Sequence, residues 1–330
     1  MMLPAPTMRM LFNIPPLAVL CWCAVCAAAG DGRDSAADDP IEAVVHDDGD
    51  TPEASQHLLR YQFHAGEILR YVVNDESEVE IEQASDGTTV KYSTKTWKQQ
   101  RVKSVDSEGN AIIQVQLNRV KMTAEGAEGK IEFDSNEPGT PPAQFAHVVD
   151  SIGRTLVEMT VNPTGKVTAI QRPGHRQEKS HEISPAHLER DSHGPISFPE
   201  QTLAIGDSWS ERFDVPVMLE ETRLTRNIKL QRTCTLTQVD GAVATIDVET
   251  IVLTPVNDPK ISAQLIQRTP SGVLQFDLER GVVLTKRTFL HNQVVGHEGA
   301  GSKLKVVRTY VEALDASDSK LTAVTVESAR

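Results

Sequence analysis

Apolar and polar residues alternate with a period of two along much of the chain. AIIQVQL (111–117) places Ala111, Ile113, Val115 and Leu117 on one face, with Gln114 and Gln116 on the other. NIKLQRTCTLTQV (227–239) groups Ile228, Leu230, Cys234 and Leu236 against Lys229, Gln231, Thr233, Thr235 and Thr237. GAVATIDVETIV (241–252) sets Ala244, Ile246 and Val248 against Thr245, Asp247 and Glu249. Successive strand side chains point to opposite faces, so the pattern predicts antiparallel strands with one buried and one wet face. Ser107-Glu108-Gly109-Asn110, Pro163-Thr164-Gly165 and Asp240-Gly241 each fall between two such runs, where hairpin turns belong. One segment breaks the alternation. PPAQFAHVVDSIGR (141–154) spaces Phe145, Val148, Val149 and Ile152 as a helix does, with Pro141 and Pro142 suited to its start and Gly153 to its end.

The pattern runs through the chain twice. AGEILRY (65–71) opens the first pass and IGDSWSE (205–211) the second. Each continues with a polar-faced strand, a hairpin and another strand, then Gly, three residues and Phe-Asp: GKIEFD (129–134) and GVLQFD (272–277). The expected fold is mainly β: two similar antiparallel units, residues 58–170 and 198–314, an internal duplication in sequence order, with a helix near 141–154 on or between them. The alternative arrangement is a single curved half-barrel sheet with that helix in its concavity. Ile113, Val115, Leu117, Ile228, Leu230, Cys234, Ile246 and Val248 are expected to point inward.

Composition bounds the flanks. Residues 30–57 carry many acids and almost no periodicity. Such a leader buries too little apolar surface to offset its ordering entropy and is expected to be disordered. Residues 315–330 are expected to fray likewise. Ahead of the leader, the apolar run Leu11–Ala29 follows Arg9 and ends in Ala27-Ala28-Ala29, which reads as a signal peptide (1–29) cleaved after Ala29. A periplasmic or extracellular location follows; a lipid anchor or an N-terminal membrane anchor is the alternative. Cleavage leaves Cys234 as the one cysteine, so no intrachain disulfide is expected. The net charge of −13 and the lack of a basic stripe argue against a nucleic-acid partner.

Candidate chemistry is sparse. Gly206-Asp207-Ser208-Trp209 is similar to the Gly-Asp-Ser-Leu block of a hydrolase family, but no Asp-x-x-His follows it, and a serine without a base and an orienting acid is inert. The parallel with Gly66-Glu67 predicts a turn that starts a strand, with Trp209 packed inward. Asp134 and Asp277 occupy related places in the two passes, as the paired carboxylates of aspartic proteases do. Neither sits in an Asp-Thr/Ser-Gly turn, so each is expected to cap a turn instead. His175, His181, His187 and His193 recur every six residues in a polar linker, 171–197. That spacing puts them on different helix faces, or about 20 Å apart on an extended chain, so no metal site is expected. Cys234 lies on an apolar strand face and reads as an inert buried thiol. There is no phosphate-binding loop, dinucleotide fingerprint or zinc-protease motif. No catalytic residue, cofactor or metal ligand is assigned.

LLRYQFHAGEILRY, GKIEFDS, the helix leading into LVEMTVNPTGKV, and FPEQTLAIGDSW with the second β half follow one another in an order that resembles a family of exported, β-rich bacterial domains of unknown function, common in planctomycete-type genomes. The resemblance spans residues 58–312. It implies export and a β fold, and it supplies no catalytic residues. The expected function is an exported, non-catalytic binding or envelope-associated protein. A carrier of an apolar ligand or lipid in a curved sheet is the alternative, and a hydrolase with an unrecognised site a second one.

Overall fold

The computed structural model describes residues 42–44, 55–83, 86–171, 173, 194–219 and 224–315. The signal-like segment, the histidines at 175, 181, 187 and 193, and the tail beyond 315 lie outside the described residues. Thirteen strands form one antiparallel sheet. They are β1 (Glu42–Val44), β2 (Ile68–Gln83), β3 (Asp86–Val105), β4 (Ala111–Gly126), β5 (Gly129–Asp134), β6 (Thr155–Val161) and β7 (Val167–Gln171), then β8 (Ser208–Leu219), β9 (Leu224–Asp240), β10 (Val243–Val252), β11 (Ser271–Asp277), β12 (Val282–Val295) and β13 (Ser302–Leu314). Twelve follow the order β1-β8-β9-β10-β11-β12-β13-β2-β3-β4-β6-β7, and β5 pairs with the end of β4. The ends, β1 and β7, do not pair with each other, so the sheet stays open.

The alternation places the inward set as expected. Ile113, Val115, Leu117, Ile228, Leu230, Cys234, Ile246 and Val248 are all buried. The two halves do not stack as separate layers. They join edge to edge through β13 and β2, from Ser302↔Gln83 to Leu314↔Tyr71, which is the single-sheet arrangement. That sheet is strongly curved. Met159 on β6 and Leu274 on β11 line the same cavity, although six strand spacings separate them, about 30 Å on a flat sheet.

Two turns are built alike. Gly66 N–H donates to Val102 O at 2.8 Å, and Val102 N–H donates to Glu67 O at 2.9 Å. Gly206 N–H donates to Leu236 O at 2.7 Å, and Leu236 N–H donates to Asp207 O at 3.0 Å. The GKIEFD and GVLQFD strands, by contrast, hold different places: β5 pairs with β4 alone, while β11 lies between β10 and β12. Similar letters there reflect a shared strand pattern, not a shared position in the sheet.

The helix near 141–154 is shorter than its periodicity suggests. Only Ala146–Val149 is α-helical, here α1, flanked by turns. Phe145 and Val148 are buried against Leu117, Val120 and Met122, so they fill the concave side of β4, while Val149 faces out at 38% exposure. A second helix, α2 (Pro259–Leu265), was not anticipated. Asp258 caps it by accepting from Lys260 N–H, with Pro259 at the first turn. Ile261 and Leu265 cover Phe213, Val215, Ile228 and Leu230.

Two flanking segments make contacts with the sheet. Within the acidic leader, Glu42–Val44 pairs with β8, and His57 bridges Leu203. An open sheet edge offers unpaired N–H and C=O groups, which pair with an extended segment whatever its composition. The end of the linker is also not polar surface. Ile196, Ser197 and Phe198 are buried as a strap across the concavity. Tyr61 hydroxyl donates to Ile196 O, Trp209 Nε1–H donates to Ser197 O at 2.8 Å, and Phe198 N–H donates to Thr164 O at 2.7 Å. Gly165 lies beneath this strap. With φ at +88°, any Cβ there would fall 2.5 Å from Ile196 O, so glycine is required for both conformation and space.

Candidate functional site

The concave face holds a row of buried charges between apolar clusters. It arises because charged residues occupy inward positions of otherwise alternating strands. On β12, Lys286 follows Val282 in the inward set; on β13, Tyr310 and Glu312 follow Val306; on β3, Lys98 precedes Val102. Register brings them together: Lys286 is opposite Glu312, and Tyr71 is opposite Lys98. Farther along, Glu211 on β8 is opposite Arg232 on β9.

Each charge has a partner that lowers the cost of its burial. Lys98 Nζ lies 2.6 Å from Glu312 Oε1, with both side chains under a tenth exposed. Tyr310 hydroxyl donates to Glu312 Oε2 at 2.6 Å. Burial pushes the Glu312 carboxyl up, but the Lys98 ammonium and the Tyr310 hydrogen bond outweigh it and hold the group below its ordinary range. Arg232 Nη1 lies 3.4 Å from Glu211 Oε2, and its guanidinium stands over the Phe213 ring. Lys286 Nζ donates to Gly194 O at 3.3 Å. Burial first, and Arg232 second, lower this amine to about 7. Tyr71, whose hydroxyl donates to Val283 O, is pushed well up by burial.

A cavity of about 80 Å³ on the concave face is lined in part by this row. Its walls are mainly apolar: Phe63, Leu69, Val102, Ile113, Met159 and Leu274. Lys98, Lys286, Glu312 and Tyr71 line its polar end, and Gly194, Pro195 and Ile196 of the strap also line it. A separate groove of about 490 Å³ opens to solvent beside α2, between Val252–Val256 and Asn292–Val294.

The residues singled out in the sequence lie elsewhere. Ser208 Oγ is 2.8 Å from Thr235 Oγ1, in a strand pair, and Trp209 is buried behind it. Asp134 accepts from Asn136 N–H and pairs with Arg119, whose hydrogen bonds hold its carboxyl at about 2. Asp277 accepts from the N–H groups of Glu279 and Arg280. Both aspartates cap turns. Burial pushes the Cys234 thiol up to about 12. Among the described residues, no group of three or more His, Cys, Asp or Glu side chains is placed to hold a metal ion. The buried charge row was missed. The signal for it was a charged residue at an inward position of a period-two run, as at Arg232 between Leu230 and Cys234.

The fold and cavity define an open antiparallel half-barrel with a partly filled concavity. No family model matches the chain, and no curated protein matches it. Among solved structures, it is similar to one described as lipid–protein interactions in lipovitellin, at 10% identity and a TM-score of 0.43, over 77% of this chain and 26% of that one. The chain thus spans about a quarter of the lipovitellin chain. DynF from the dynemicin biosynthesis pathway of Micromonospora chersina matches at 8% identity and a TM-score of 0.21, over 81% of this chain and 93% of that one. The translocator domain of the autotransporter NalP from Neisseria meningitidis matches at 8% and 0.25, over 76% and 89%. Scores this low carry no function across.

Proposed function

We propose that this chain is an exported, non-catalytic binding protein that holds a small apolar ligand inside its half-barrel. The observation that carries this reading is the mainly apolar cavity on the concave face, lined from Met159 to Leu274. Ligand sites of this kind are concave, apolar and furnished with a few placed polar groups. Export rests on the Leu11–Ala29 run and its Ala27-Ala28-Ala29 end.

Two measurements test the reading. Methyl NMR of Met159 reports occupancy of the cavity by small apolar probes. The expected result is a saturable shift of that methyl with xenon, a single-atom apolar probe that an engineered dry cavity also takes up, reduced in the cavity-filling variant Val283→Phe. A Met159 methyl that stays unmoved at saturating probe would overturn the binding role. Mass determination of the mature N-terminus tests export. It is expected at Gly30, and a chain retaining Leu11–Ala29 in the secreting host would refute cleavage.

A further inference from the structure

We propose that a slot in the sheet between β10 and β12 takes an added strand, and that this strand is Leu321–Val326 from the C-terminal segment of a second copy of the chain. The slot shares no lining residue with the cavity on the concave face, so it stands apart from the ligand reading.

The slot exists because one strand stops early. β11 lies between β10 and β12, and its first residue, Ser271, is opposite Glu249 on one side and Phe289 on the other. Pro270, just before it, has no N–H to give to a ladder. Both neighbours run on. β10 continues as Thr250–Val252, paired with β9, and β12 continues as Leu290–Val295, paired with β13. Among the described residues, neither stretch has a strand partner on its β11 side. Strands that flank a missing one stand about 10 Å apart, which leaves room for one strand. The groove of about 490 Å³ between Val252–Val256 and Asn292–Val294 lies in this gap. The turn after α2 forms its floor. Asn292 Nδ2 donates to Ile266 O at 2.8 Å and to Thr269 Oγ1 at 2.9 Å, and Leu265 and Ile266 are buried.

The lining selects the occupant. No Asp, Glu, Lys or Arg lines the groove. Val252 and Val294 lie on the inward face of their strands, while Ile251, Leu253, Phe289 and Val295 stand outward, each between 39% and 59% exposed. Large exposed apolar side chains beside unpaired strand backbone mark an edge that another strand covers. The occupant must therefore be extended, uncharged and apolar on both faces. LTAVTV (321–326) meets all three conditions. It carries no charge, puts Leu321 and Ala323 on one face and Val324 and Val326 on the other, and its Thr and Val favour a strand. A strand added in this way gains backbone hydrogen bonds from its neighbours and specificity from alternate side chains.

Direction requires a second molecule. β10 and β12 run the same way, and β11 opposes both. A strand that keeps the antiparallel pairing enters at the Val295 end and runs toward Ser271. Leu314 lies at the other end of β12, next to Ala313, which is opposite Thr285. From there to the level of Val295 is about 36 Å along the sheet. The chain from Leu314 to Leu321 spans at most about 25 Å. A molecule's own C-terminal segment therefore does not reach the entry, whereas two copies related by a two-fold axis can exchange theirs reciprocally.

Native mass spectrometry and amide hydrogen exchange on the full chain test the proposal. The comparison is with the full-length variant Val324→Pro/Val326→Pro, whose prolines cannot join a ladder. The wild-type chain is expected to be a dimer and the variant a monomer, with exchange at Leu290–Val295 at least about tenfold slower in the wild type. Unchanged exchange in β2 and β3 shows that the variant keeps its fold. A synthetic peptide of residues 320–330, added to the variant, is expected to restore slow exchange at Leu290–Val295. A monomeric wild-type chain would overturn the proposal, and so would a dimer that survives the two prolines, which would place the contact on another surface. A peptide that leaves Leu290–Val295 exchanging as before would overturn the slot as its site.

Discussion

Breaking the Lys98–Glu312 pair is the sharpest test of the interior. Both side chains are under a tenth exposed, and their charged atoms lie 2.6 Å apart. Removing one partner leaves the other charge desolvated and without its counter-ion. For buried pairs this costs about 3–5 kcal/mol, several times the worth of an exposed pair. Each kcal/mol moves the thermal midpoint of a domain this size by about 2–4 °C, so Lys98→Met or Glu312→Gln should lower it by about 10 °C. Removing both charges and the hydroxyl that depends on Glu312, as Lys98→Met/Glu312→Leu/Tyr310→Phe, should recover part of the loss, because neither member of the pair is then left alone, although Lys286 loses the carboxylate opposite it. Urea unfolding followed by Trp209 fluorescence measures all of these on one signal. The pH profile supplies the sign. Glu312 is held below its ordinary value of 4.5, so its contribution is present above that pH and is lost as pH falls through the folded value. The gap between wild type and Glu312→Gln should therefore narrow below about pH 4.5. A loss under about 1 kcal/mol in the single variants, or a triple variant no better than they are, would show the pair to be solvated and the concave face open.

Gly165→Ala should destabilise the chain by at least about 2 kcal/mol, seen as a lower urea midpoint, because the new methyl meets Ile196 O at 2.5 Å with φ at +88°; an unchanged midpoint would place the strap elsewhere. Lys286 is lowered from 10.5 to about 7, so the folded state binds fewer protons between those values and stability should rise with pH across that window. Lys286→Met removes that rise, and its gain over wild type should be largest below pH 7 and vanish above about 10.5; pH-resolved urea curves decide it, and a gain independent of pH would contradict a buried amine. Cys234, buried and pushed up to about 12, should react with a thiol reagent only as fast as the chain unfolds; rapid labelling of native protein at pH 8 would refute its burial.

The sequence by itself determined which residues face inward, because strand side chains alternate and apolar ones leave water. Ile113 through Leu117, Ile228 through Leu236 and Ala244 through Val248 needed no further information. The hairpin turns at 107–110, 163–165 and 240–241 were equally local, and so was the reading of Gly206-Asp207 as the start of a strand. What alternation does not specify is which strand lies beside which. The join of β13 to β2 links residues more than two hundred positions apart, and it alone turns two β units into one curved sheet. Only that curvature brings Met159, Lys98, Lys286 and Leu274 around one cavity. The strap at Ile196–Phe198 was hidden for the same reason: its burial depends on Tyr61 and Trp209, which approach it from opposite halves of the chain. A charge such as Lys286 or Arg232 reads as a break in the pattern until its partner is in place. Glu312 and Glu211 take up those positions only when the sheet has formed, because the attraction that offsets their desolvation acts across strands and not along one.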